Sequence, residues 1–343
     1  MAVQPVLLIL ASQSSPVVDD KDRGMVRNPM RAILLAAMLL CSPMAAYAQQ
    51  PGGLEAARAS VVSVLPVWPG QAPNSDEPEG SGVVIGDGRR VVTADHVLGP
   101  GQSPRLVFVR DSDGVIHEAK VVHRDKLTDV AVLELDAGLP PAARRAGPVM
   151  VGQEVCAIGN AFGLDLSVTC GHVSAVHRTG VGFNAVEDFI QTDAAVNPGM
   201  SGGALVDSEG RLAGMLSAIF TKQADANIGV NFAVHMELVD AVVDGASAGR
   251  QLFPFKTGVQ VRPVPPKGET GREGLQIVNV IAGSAAEAAQ LKPGDLIYHA
   301  GGRRVRKMAD WVSVMAQTRP GGTVDVAGER NGEPFKATLT NQQ

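Results

Sequence analysis

Short runs of β-branched residues, separated by glycine-rich turns, recur from residue 82 to residue 234 and constrain the fold more than any other feature of the chain. Regular spacing of this kind predicts closed antiparallel barrels, because the turns leave no room for the crossover helices that parallel strands need. The predicted strands are 83–85, 91–93, 106–109, 115–122, 130–135, 155–158, 167–176, 204–206, 212–219 and 228–234.

A glycine-rich stretch at 193–205, with the sequence DAAVNPGMSGGAL, contains the residue types of a nucleophile and its oxyanion hole. Such a loop turns sharply and exposes the hydroxyl of Ser201. It can also point the backbone amides of Gly199 and Ser201 at one spot, where the oxygen of a tetrahedral acyl intermediate would carry its charge. The alternative is a flexible hairpin turn, which would be the better interpretation if Ser201 had no partners elsewhere in the chain.

Two further segments supply such partners. His96 ends a β-branched run in VVTADHVL, and Asp129 lies in DKLTDVAVL, a polar turn that leads into an apolar strand. A serine hydroxyl needs a base with a pKa near 7, and that base needs a carboxylate to fix its tautomer. Taken singly, His96 could be a core histidine and Asp129 a turn cap. The order His96, Asp129, Ser201 is that of chymotrypsin-type double barrels rather than of subtilisins or α/β-hydrolases.

These segments resemble those of the HtrA (DegP/DegS-like) family of trypsin-fold serine proteases. QTDAAVNPGMSGG is close to the family's nucleophile motif, TADHV to its histidine motif and TDVAVL to its aspartate motif. The likeness extends from about Gly80 to the C-terminus. Two residues depart from it, because the family usually has asparagine at the position of Met200 and a small residue at that of Asp95.

The resemblance implies a mainly β fold, in which a chymotrypsin-like double β-barrel protease domain at 81–249 precedes a small α+β PDZ domain at 250–343. It implies that His96 is the general base and then the acid, that Asp129 orients it, and that Ser201 is the nucleophile.

The resemblance also places two residues at the substrate, Ala195 and Ser217. Ala195 would form the base of the primary specificity pocket, where it offers no charge to pair with a buried cation, so we expect cleavage after small or medium aliphatic residues. Met200 can form neither an ion pair with a new N-terminus nor a strong hydrogen bond. We therefore expect low basal activity that rises when a peptide binds the PDZ domain.

Beyond the linker 248–251, three segments resemble a PDZ domain of the HtrA type, namely 285–289, 291–297 and 307–317. Such a domain adds a chain end as a strand beside a helix, and backbone amides of a loop capture the terminal carboxylate. The candidate capture loop, FKTGVQV, contains Thr257, Gly258 and Val259 as the expected peptide-binding residues. Thr257 departs from the hydrophobic residue usual there, and the alternative is a PDZ-like packing module that binds nothing.

The first 48 residues are interpreted as an N-terminal extension that ends in a signal peptide at 30–48. Arg31 precedes an apolar run, and Ala46-Tyr-Ala48 is a small-x-small cleavage site. We expect a mature protein that begins at Gln49 and is soluble in the periplasm, with translation starting at Met25 or Met30 rather than Met1. An uncleaved membrane anchor is the alternative. Residues 49–80 are interpreted as a linker and exposed loop, within which the apolar run 59–67 could form a first strand.

The net charge indicates which classes of binding partner to expect, and the cysteines and histidines indicate whether to expect a disulfide or a metal site. The formal net charge is −5, so nothing in the composition favours binding of nucleic acid or of an anionic membrane. Of the three cysteines, Cys41 would leave with the signal peptide, and Cys156 and Cys170 would form a disulfide in an oxidising compartment. His172 and His177 lie near Cys170, but no metal-binding spacing supports a metal site, and no cofactor is expected.

Together these features predict an exported, ATP-independent serine endopeptidase of HtrA type. It would hydrolyse unfolded or mislocalised proteins, and its PDZ domain would bind peptide C-termini to recruit substrate or to regulate activity. The resemblance implies a homo-trimer or a multiple of one. The alternative is a protease-fold chaperone or peptide-binding scaffold with little activity, which Met200 favours and the complete set of His96, Asp129 and Ser201 opposes.

Overall fold

The computed structural model describes residues 53–70, 79–99, 104–219, 229–252, 254–266 and 272–342. The predicted signal peptide and N-terminal extension lie outside these residues. In the part of the chain that the structure describes, no helix combines the length and apolar character needed to cross a membrane.

A short helix, α1 (Gly53–Arg58), precedes a first set of six strands: β1 (Val61–Val67), β2 (Gly80–Ile85), β3 (Arg90–Ala94), β4 (Leu106–Arg110), β5 (Ile116–Asp125) and β6 (Val130–Leu135). They pair antiparallel and close into a barrel in the order β1-β2-β3-β6-β5-β4. All seven residues of β1 are buried. This strand lies within the 49–80 segment and corresponds to the apolar run 59–67, for which the sequence allows a first strand.

The second set of strands consists of β7 (Glu154–Asn160), β8 (Leu166–Arg178), β9 (Phe189–Thr192), β10 (Ala204–Asp207), β11 (Leu212–Ile219) and β12 (Asn231–His235). They close into a second barrel in the order β10-β11-β12-β9-β8-β7, and helix α2 (Met236–Ser247) follows. The two closed barrels confirm the antiparallel barrels predicted from the spacing of the strands and the mainly β, chymotrypsin-like fold that the resemblance implies.

The C-terminal region has a sheet and a core of its own. Its elements are β13 (Val259–Val264), β14 (Gly274–Val280), α3 (Ala285–Ala288), β15 (Leu296–Ala300), β16 (Arg303–Arg304), α4 (Met308–Ala316), β17 (Thr323–Arg330) and β18 (Glu333–Thr340). The sheet order is β13-β14-β15-β17-β18, and β16 pairs with β15. Leu275, Ile297 and Leu339 are fully buried in its core. β13 is an edge strand of this sheet, and α4 packs beside it.

The segment between the two regions is fastened to the first barrel. Leu252 is buried in the core that the two barrels share, and its backbone N–H donates to Oδ2 of Asp125 at 3.2 Å. Gln251 donates from its side chain to the carbonyl of Arg124 at 3.4 Å. These contacts join the chain beyond α2 to the end of β5, next to the turn that contains Asp129.

Candidate active site

His96 lies directly after β3, in a 3₁₀ turn that spans Asp95–Leu98. Its imidazole is half-exposed, and its Nδ1 lies 2.8 Å from Oδ2 of Asp129. The backbone N–H of His96 donates to Oδ1 of the same carboxylate at 2.9 Å. One carboxylate therefore fixes both the backbone and the ring of His96. With Nδ1 paired to Asp129, Nε2 is the ring nitrogen that can accept a proton from a substrate-side group.

Asp129 lies in the turn between β5 and β6, with a φ of 60°, in the left-handed region that Asp tolerates better than most residues. The carboxylate of Asp125 organises this turn, since its Oδ1 accepts from the amides of Leu127 and Thr128, both at 3.1 Å. The carbonyl of Asp129 accepts from the amide of Asp95 at 3.1 Å. The loops that carry His96 and Asp129 are therefore joined by backbone as well as side-chain bonds.

Ser217, in β11, makes a further contact with the Asp129 carboxylate. Its hydroxyl donates to Oδ2 of Asp129 at 3.0 Å, and the residue is 4% exposed. The sequence predicts that Ser217 binds substrate, whereas its side chain lies against Asp129 and only its backbone carbonyl faces Ser201. Sequence reasoning misses the contact with Asp129 because the two residues are 88 positions apart and no local pattern connects them.

The Ser201 hydroxyl, in the loop before β10, donates to the carbonyl of Ser217 at 3.3 Å. It makes no hydrogen bond to His96 among the described residues. The residues Gly199 and Ser201 are both partly exposed, and neither backbone amide donates to another group in the described part of the chain. Two unpaired amides beside a serine hydroxyl are the arrangement that stabilises an oxyanion in acyl transfer.

Ser81, in β2, fastens this loop to the first barrel. Its hydroxyl donates to the carbonyl of Gly199 at 2.8 Å and accepts from the amide of Asn160 at 2.8 Å. Its backbone N–H donates to the carbonyl of Ser201 at 2.8 Å. Because Ser81 is fully buried, these bonds are shielded from water.

The peptide planes that contain the two unpaired amides are also fixed. The carbonyl of Pro198 accepts from the amide of Phe162 at 2.8 Å, and the carbonyl of Met200 accepts from that of Gly203 at 2.9 Å. The N–H and C=O groups of a trans peptide point in opposite directions. Both carbonyls therefore fix the direction of the amides that follow them, those of Gly199 and Ser201.

Two positions in this loop require glycine. Gly199 has a φ of 91°, and a Cβ there would lie 2.3 Å from the carbonyl oxygen of Asn160. Gly202 has a φ of 85°, and a Cβ there would lie 2.1 Å from the carbonyl oxygen of Ser81. Any side chain would displace backbone atoms that position Ser201.

Met200 is fully buried in the core of the second barrel. Its sulfur lies 3.4 Å from the amide of Asn197, as a weak acceptor. This residue therefore fixes the loop mainly by packing. Ala195, predicted to form the base of the specificity pocket, is partly exposed, and its carbonyl accepts from Oγ1 of Thr169 at 2.5 Å.

The charges around His96 act in opposite directions on its pKa. Burial lowers the pKa, but the hydrogen bond and charge of Asp129 and the charge of Asp95 outweigh burial, so that the pKa of His96 is raised above 6.5. An imidazole with a raised pKa is a stronger base, because the neighbouring carboxylates favour its protonated form.

The predicted peptide-binding residues of the PDZ region line a groove of about 320 Å³ between β13 and α4. Apolar side chains form most of its wall, including Val261, Trp311 and Met315. Thr257 is buried, and its carbonyl accepts from the amide of Ala286 at 2.9 Å. The open edge of β13, which begins at Val259, is available to an added strand.

Gly258 is required where it stands. It has a φ of 82°, and a Cβ there would lie 2.1 Å from Cβ of Ser284, the N-cap residue of α3. The predicted capture loop therefore approaches the start of α3 more closely than any side chain would allow.

Cys156 and Cys170 lie directly opposite each other on β7 and β8 and are joined by a disulfide with an S–S distance of 2.08 Å. Of the two histidines near them, His177 pairs with Asp188 at 2.9 Å. Ligand-type atoms of Asp188, His235 and Glu237 lie within 4.8 Å of one another. Both of these carboxylates bind Arg303, so their charges are already paired with a guanidinium.

Two closed barrels with a histidine, an aspartate and a serine at their junction define the class of trypsin-like serine peptidases, and the matches to known families agree. Residues 80–215 match the family described as "Trypsin-like peptidase domain", and residues 227–340 match that described as "PDZ domain". The second match begins before the PDZ sheet and includes β12 and α2, which the structure places with the second barrel.

The chain belongs to the HtrA family. It is 30% identical over 274 residues to "Serine endoprotease DegS" of Escherichia coli (strain K12), with 77% of this chain and 76% of that protein covered. It is 33% identical to "Probable periplasmic serine endoprotease DegP-like" of Halomonas elongata, with 80% of this chain covered but 59% of that protein. The solved structure "HtrA-type protease AlgW with decapeptide" is 30% identical, with a TM-score of 0.60 and coverage of 84% of this chain and 97% of that one. The chain thus spans about three fifths of the DegP-like relative.

Proposed function

We propose that this protein is a serine endopeptidase that hydrolyses peptide bonds of unfolded or mislocalised proteins. The observation that carries the proposal is the pair of unpaired amides at Gly199 and Ser201, fixed in direction beside a serine hydroxyl, in a barrel pair that also holds a histidine paired to Asp129. Backbone donors of a folded loop are normally paired, so two unpaired amides beside one hydroxyl favour a binding role over a purely structural one.

In the proposed reaction, Ser201 Oγ attacks the carbonyl carbon of the scissile peptide while Nε2 of His96 takes the hydroxyl proton. The carbonyl oxygen becomes an oxyanion that accepts from the amides of Gly199 and Ser201. His96 then donates the proton to the leaving amine, and the C–N bond breaks to leave an acyl-enzyme. Water, deprotonated by His96, attacks the ester and releases the second product and Ser201. The Asp129 carboxylate stabilises the imidazolium in both halves of the reaction.

Entry into this cycle requires the Ser201 hydroxyl to exchange its partner. Its hydrogen bond to the Ser217 carbonyl must be replaced by one to His96, and we expect rotation about χ1 of Ser201 to make this exchange. The present arrangement is therefore a resting state. It also supports a second candidate function, a protease-fold chaperone or peptide-binding scaffold in which Ser201 stays bonded to Ser217.

Degradation of fluorescently labelled casein by the full-length chain and by Ser201→Ala separates the two candidates. For the endopeptidase we expect peptides from the wild type only, with a loss of at least about a thousandfold in Ser201→Ala. Labelling with a fluorophosphonate, which modifies an activated serine irrespective of substrate preference, should depend on both Ser201 and His96. A wild type that suppresses aggregation of casein but is neither active nor labelled would support the scaffold.

Substrate preference is proposed to follow the uncharged Ala195. The pocket offers no carboxylate at that position, and an unpaired buried cation costs several kcal/mol. We expect mass spectrometry of the casein peptides to show cuts after small or medium aliphatic residues. A majority of cuts after Lys or Arg would overturn this assignment while leaving the triad intact.

The PDZ region is proposed to bind peptide C-termini and to raise activity at Ser201. The apolar groove, the open edge of β13 and a relative solved with a decapeptide support peptide binding. A truncated chain should end after Leu252 rather than at Arg250, since Leu252 belongs to the barrel core. We expect peptides with an apolar C-terminal residue to accelerate the full-length chain and to leave the truncated chain unchanged. Equal effects on both chains would exclude regulation through the PDZ region.

Export to the periplasm and assembly into a homo-trimer, or a multiple of one, complete the proposal. Several relatives are named periplasmic, which supports export. N-terminal sequencing of the protein recovered from the periplasmic fraction should give Gln49. Sedimentation of that protein tests the assembly, and a monomer at micromolar concentration would overturn it.

A further inference from the structure

Asp95 and Arg124 form a buried ion pair directly behind the turn that carries His96. Asp95 is 6% exposed, and Arg124 lies near the end of β5. The guanidinium Nε donates to Oδ1 of Asp95 at 2.5 Å, and Nη2 donates to Oδ2 at 3.1 Å. This two-point contact fixes the orientation of the carboxylate, because both groups are planar and their hydrogen-bonding atoms match in spacing.

The same guanidinium also binds the backbone of the turn. Nη2 donates to the carbonyls of Asp95 at 3.0 Å and Gly99 at 2.8 Å, and Nη1 donates to that of Leu98 at 3.2 Å. A 3₁₀ turn of four residues has little cooperative stability of its own. Three bonds to one rigid group therefore determine the path of the backbone that carries His96.

Asp129 binds the opposite side of this turn, through the amides of His96 and Asp95. Two carboxylates therefore raise the pKa of the His96 imidazole. One contacts the ring, and the other is paired with a guanidinium. The charged groups that act on the ring are Asp129 from the β5–β6 turn and Asp95 from its own turn, with Arg124 of β5 behind Asp95; β11 contributes the neutral Ser217.

We propose that Asp95 and Arg124 are positioning residues for His96: they fix the turn that directs the imidazole toward Ser201, and Arg124 offsets the negative charge of Asp95. This inference rests on the proposed role of His96 as general base. It gives a physical reason for an aspartate where the HtrA family usually has a small residue, since the carboxylate here has a guanidinium partner that a small residue would leave unpaired.

The two halves of the pair should act in opposite directions on the pKa of His96. In Asp95→Asn a negative charge disappears and the charge of Arg124 remains, so the pKa should fall. In Arg124→Gln the charge of Asp95 is no longer offset, so the pKa should rise. We expect each shift to be about half a pH unit to one unit at low ionic strength. Arg124→Lys keeps the positive charge but loses the planar guanidinium that bonds Asp95 at two points, so the pKa of His96 should stay near that of wild type.

The test combines two measurements on the full-length chain. NMR titration of the histidine ring signals, with that of His96 assigned by its absence in His96→Ala, gives the pKa directly and does not depend on catalysis. Rates of casein hydrolysis between pH 5 and pH 9 give kcat and KM. For Arg124→Gln and Arg124→Lys we expect kcat to fall about tenfold with KM unchanged, because the pair orients His96 and does not reach the substrate. Arg178→Gln, at an exposed arginine of β8 that donates to Gln191, is the control.

Opposite shifts of the His96 pKa in Asp95→Asn and Arg124→Gln, with the acid limb of kcat/KM moving in the same way, would establish the proposal. Shifts in the same direction, or none in a variant that melts like wild type, would overturn it. Should the wild type neither hydrolyse casein nor react with the fluorophosphonate, the proposed function fails. The NMR titration then still decides whether Asp95 and Arg124 set the pKa of His96.

Discussion

Two clusters built from the same residue types differ in what their surroundings do to histidine. The triad cluster lies in the loops of the first barrel and comprises Asp95, His96, Arg124 and Asp129. The border cluster lies where the PDZ region contacts the second barrel and comprises His177, Asp188, His235 and Arg303. Each combines imidazole, carboxylate and guanidinium groups, yet the pKa of His96 is raised and that of His235 is lowered.

The border cluster is organised around Asp188, which is fully buried. Its Oδ1 pairs with Nδ1 of His177 at 2.9 Å, and its Oδ2 accepts from Arg303 and Gln317, both at 2.8 Å. Burial alone would raise the pKa of Asp188, but the bond from His177 and the charge of Arg303 lower it to about 2. The carboxylate is thereby kept charged at the contact between the two regions.

His235 stacks on His177 in this cluster, with ring centroids 5.0 Å apart. Its Nδ1 accepts from the amide of Glu237 at 3.4 Å, as the N-cap of α2. Burial is the main reason for its lowered pKa, and it outweighs the charge of Asp188. The two pKa values move in opposite directions because the half-exposed ring of His96 contacts its carboxylate directly, whereas burial dominates at His235. Removal of the Asp129 carboxylate should therefore lower activity, whereas removal of the Asp188 carboxylate should lower the stability of the fold.

The largest expected effect is that of Asp129→Asn. The amide places an N–H opposite Nδ1 of His96, which forces the tautomer with the proton on Nε2 and removes the base. We expect kcat to fall by about ten-thousandfold and the melting temperature to change little, since the shape of the side chain is retained. Kinetics with casein and thermal unfolding on the same sample check this. A loss of less than tenfold would mean that Asp129 does not orient His96.

Asp188→Asn should have the reverse effect. It removes the fully buried carboxylate and leaves the partly buried guanidinium of Arg303 with only the exposed carboxylate of Glu237. We expect a loss of about 3 kcal/mol in the free energy of unfolding, with kcat of the folded protein within about twofold of wild type. Asp244→Asn is the matched control, because its ion pair with Arg319 is half-exposed and should contribute less than about 1 kcal/mol. Equal melting temperatures for the two variants would contradict the proposed role of the border cluster.

The difference between these clusters also marks what could be predicted from the sequence. The barrels follow from periodic β-branched runs, and His96, Asp129 and Ser201 were identifiable because each lies in a short motif with a fixed chain order. The disulfide between Cys156 and Cys170 could be predicted because these are the two cysteines left after the signal peptide and they lie on the two strands of one hairpin. Each of these features is local or depends on neighbouring strands.

The contacts that fix the site were not predictable in this way. Ser217 reaches Asp129 across 88 residues, Ser81 reaches Gly199 across 118, and Arg303 reaches Asp188 across 115. The first two contacts depend on how the barrels close, and the third depends on how the PDZ region packs against the second barrel. None of these arrangements leaves a local pattern in the chain.

A smaller effect is expected from pH at the border cluster. His235 has a lowered pKa in the folded state, so the folded protein binds fewer protons than the unfolded chain below pH 6.5. Its contribution to stability is therefore complete above pH 6.5 and decreases as the pH falls below that value. His235→Asn keeps an N-cap acceptor without a titrating ring. Urea unfolding from pH 7.5 to pH 5 should show a weaker pH dependence in this variant, and an unchanged slope would rule out His235 as the responsible group.

The smallest expected effect concerns salt and distinguishes the clusters by solvent exposure. Because the pKa of His96 is raised, and because the base must be neutral, the acid limb of kcat/KM should lie above pH 6.5 in wild type. The imidazole is half-exposed, so raising the ionic strength from about 0.05 to about 0.5 M should screen the attraction of Asp129 and Asp95 and lower that limb by a few tenths of a pH unit. The pH dependence of unfolding assigned to the buried His235 should change less over the same range. An acid limb that stays fixed while the unfolding curve moves would contradict the assignment of the salt-sensitive titration to His96 and of the salt-insensitive one to His235.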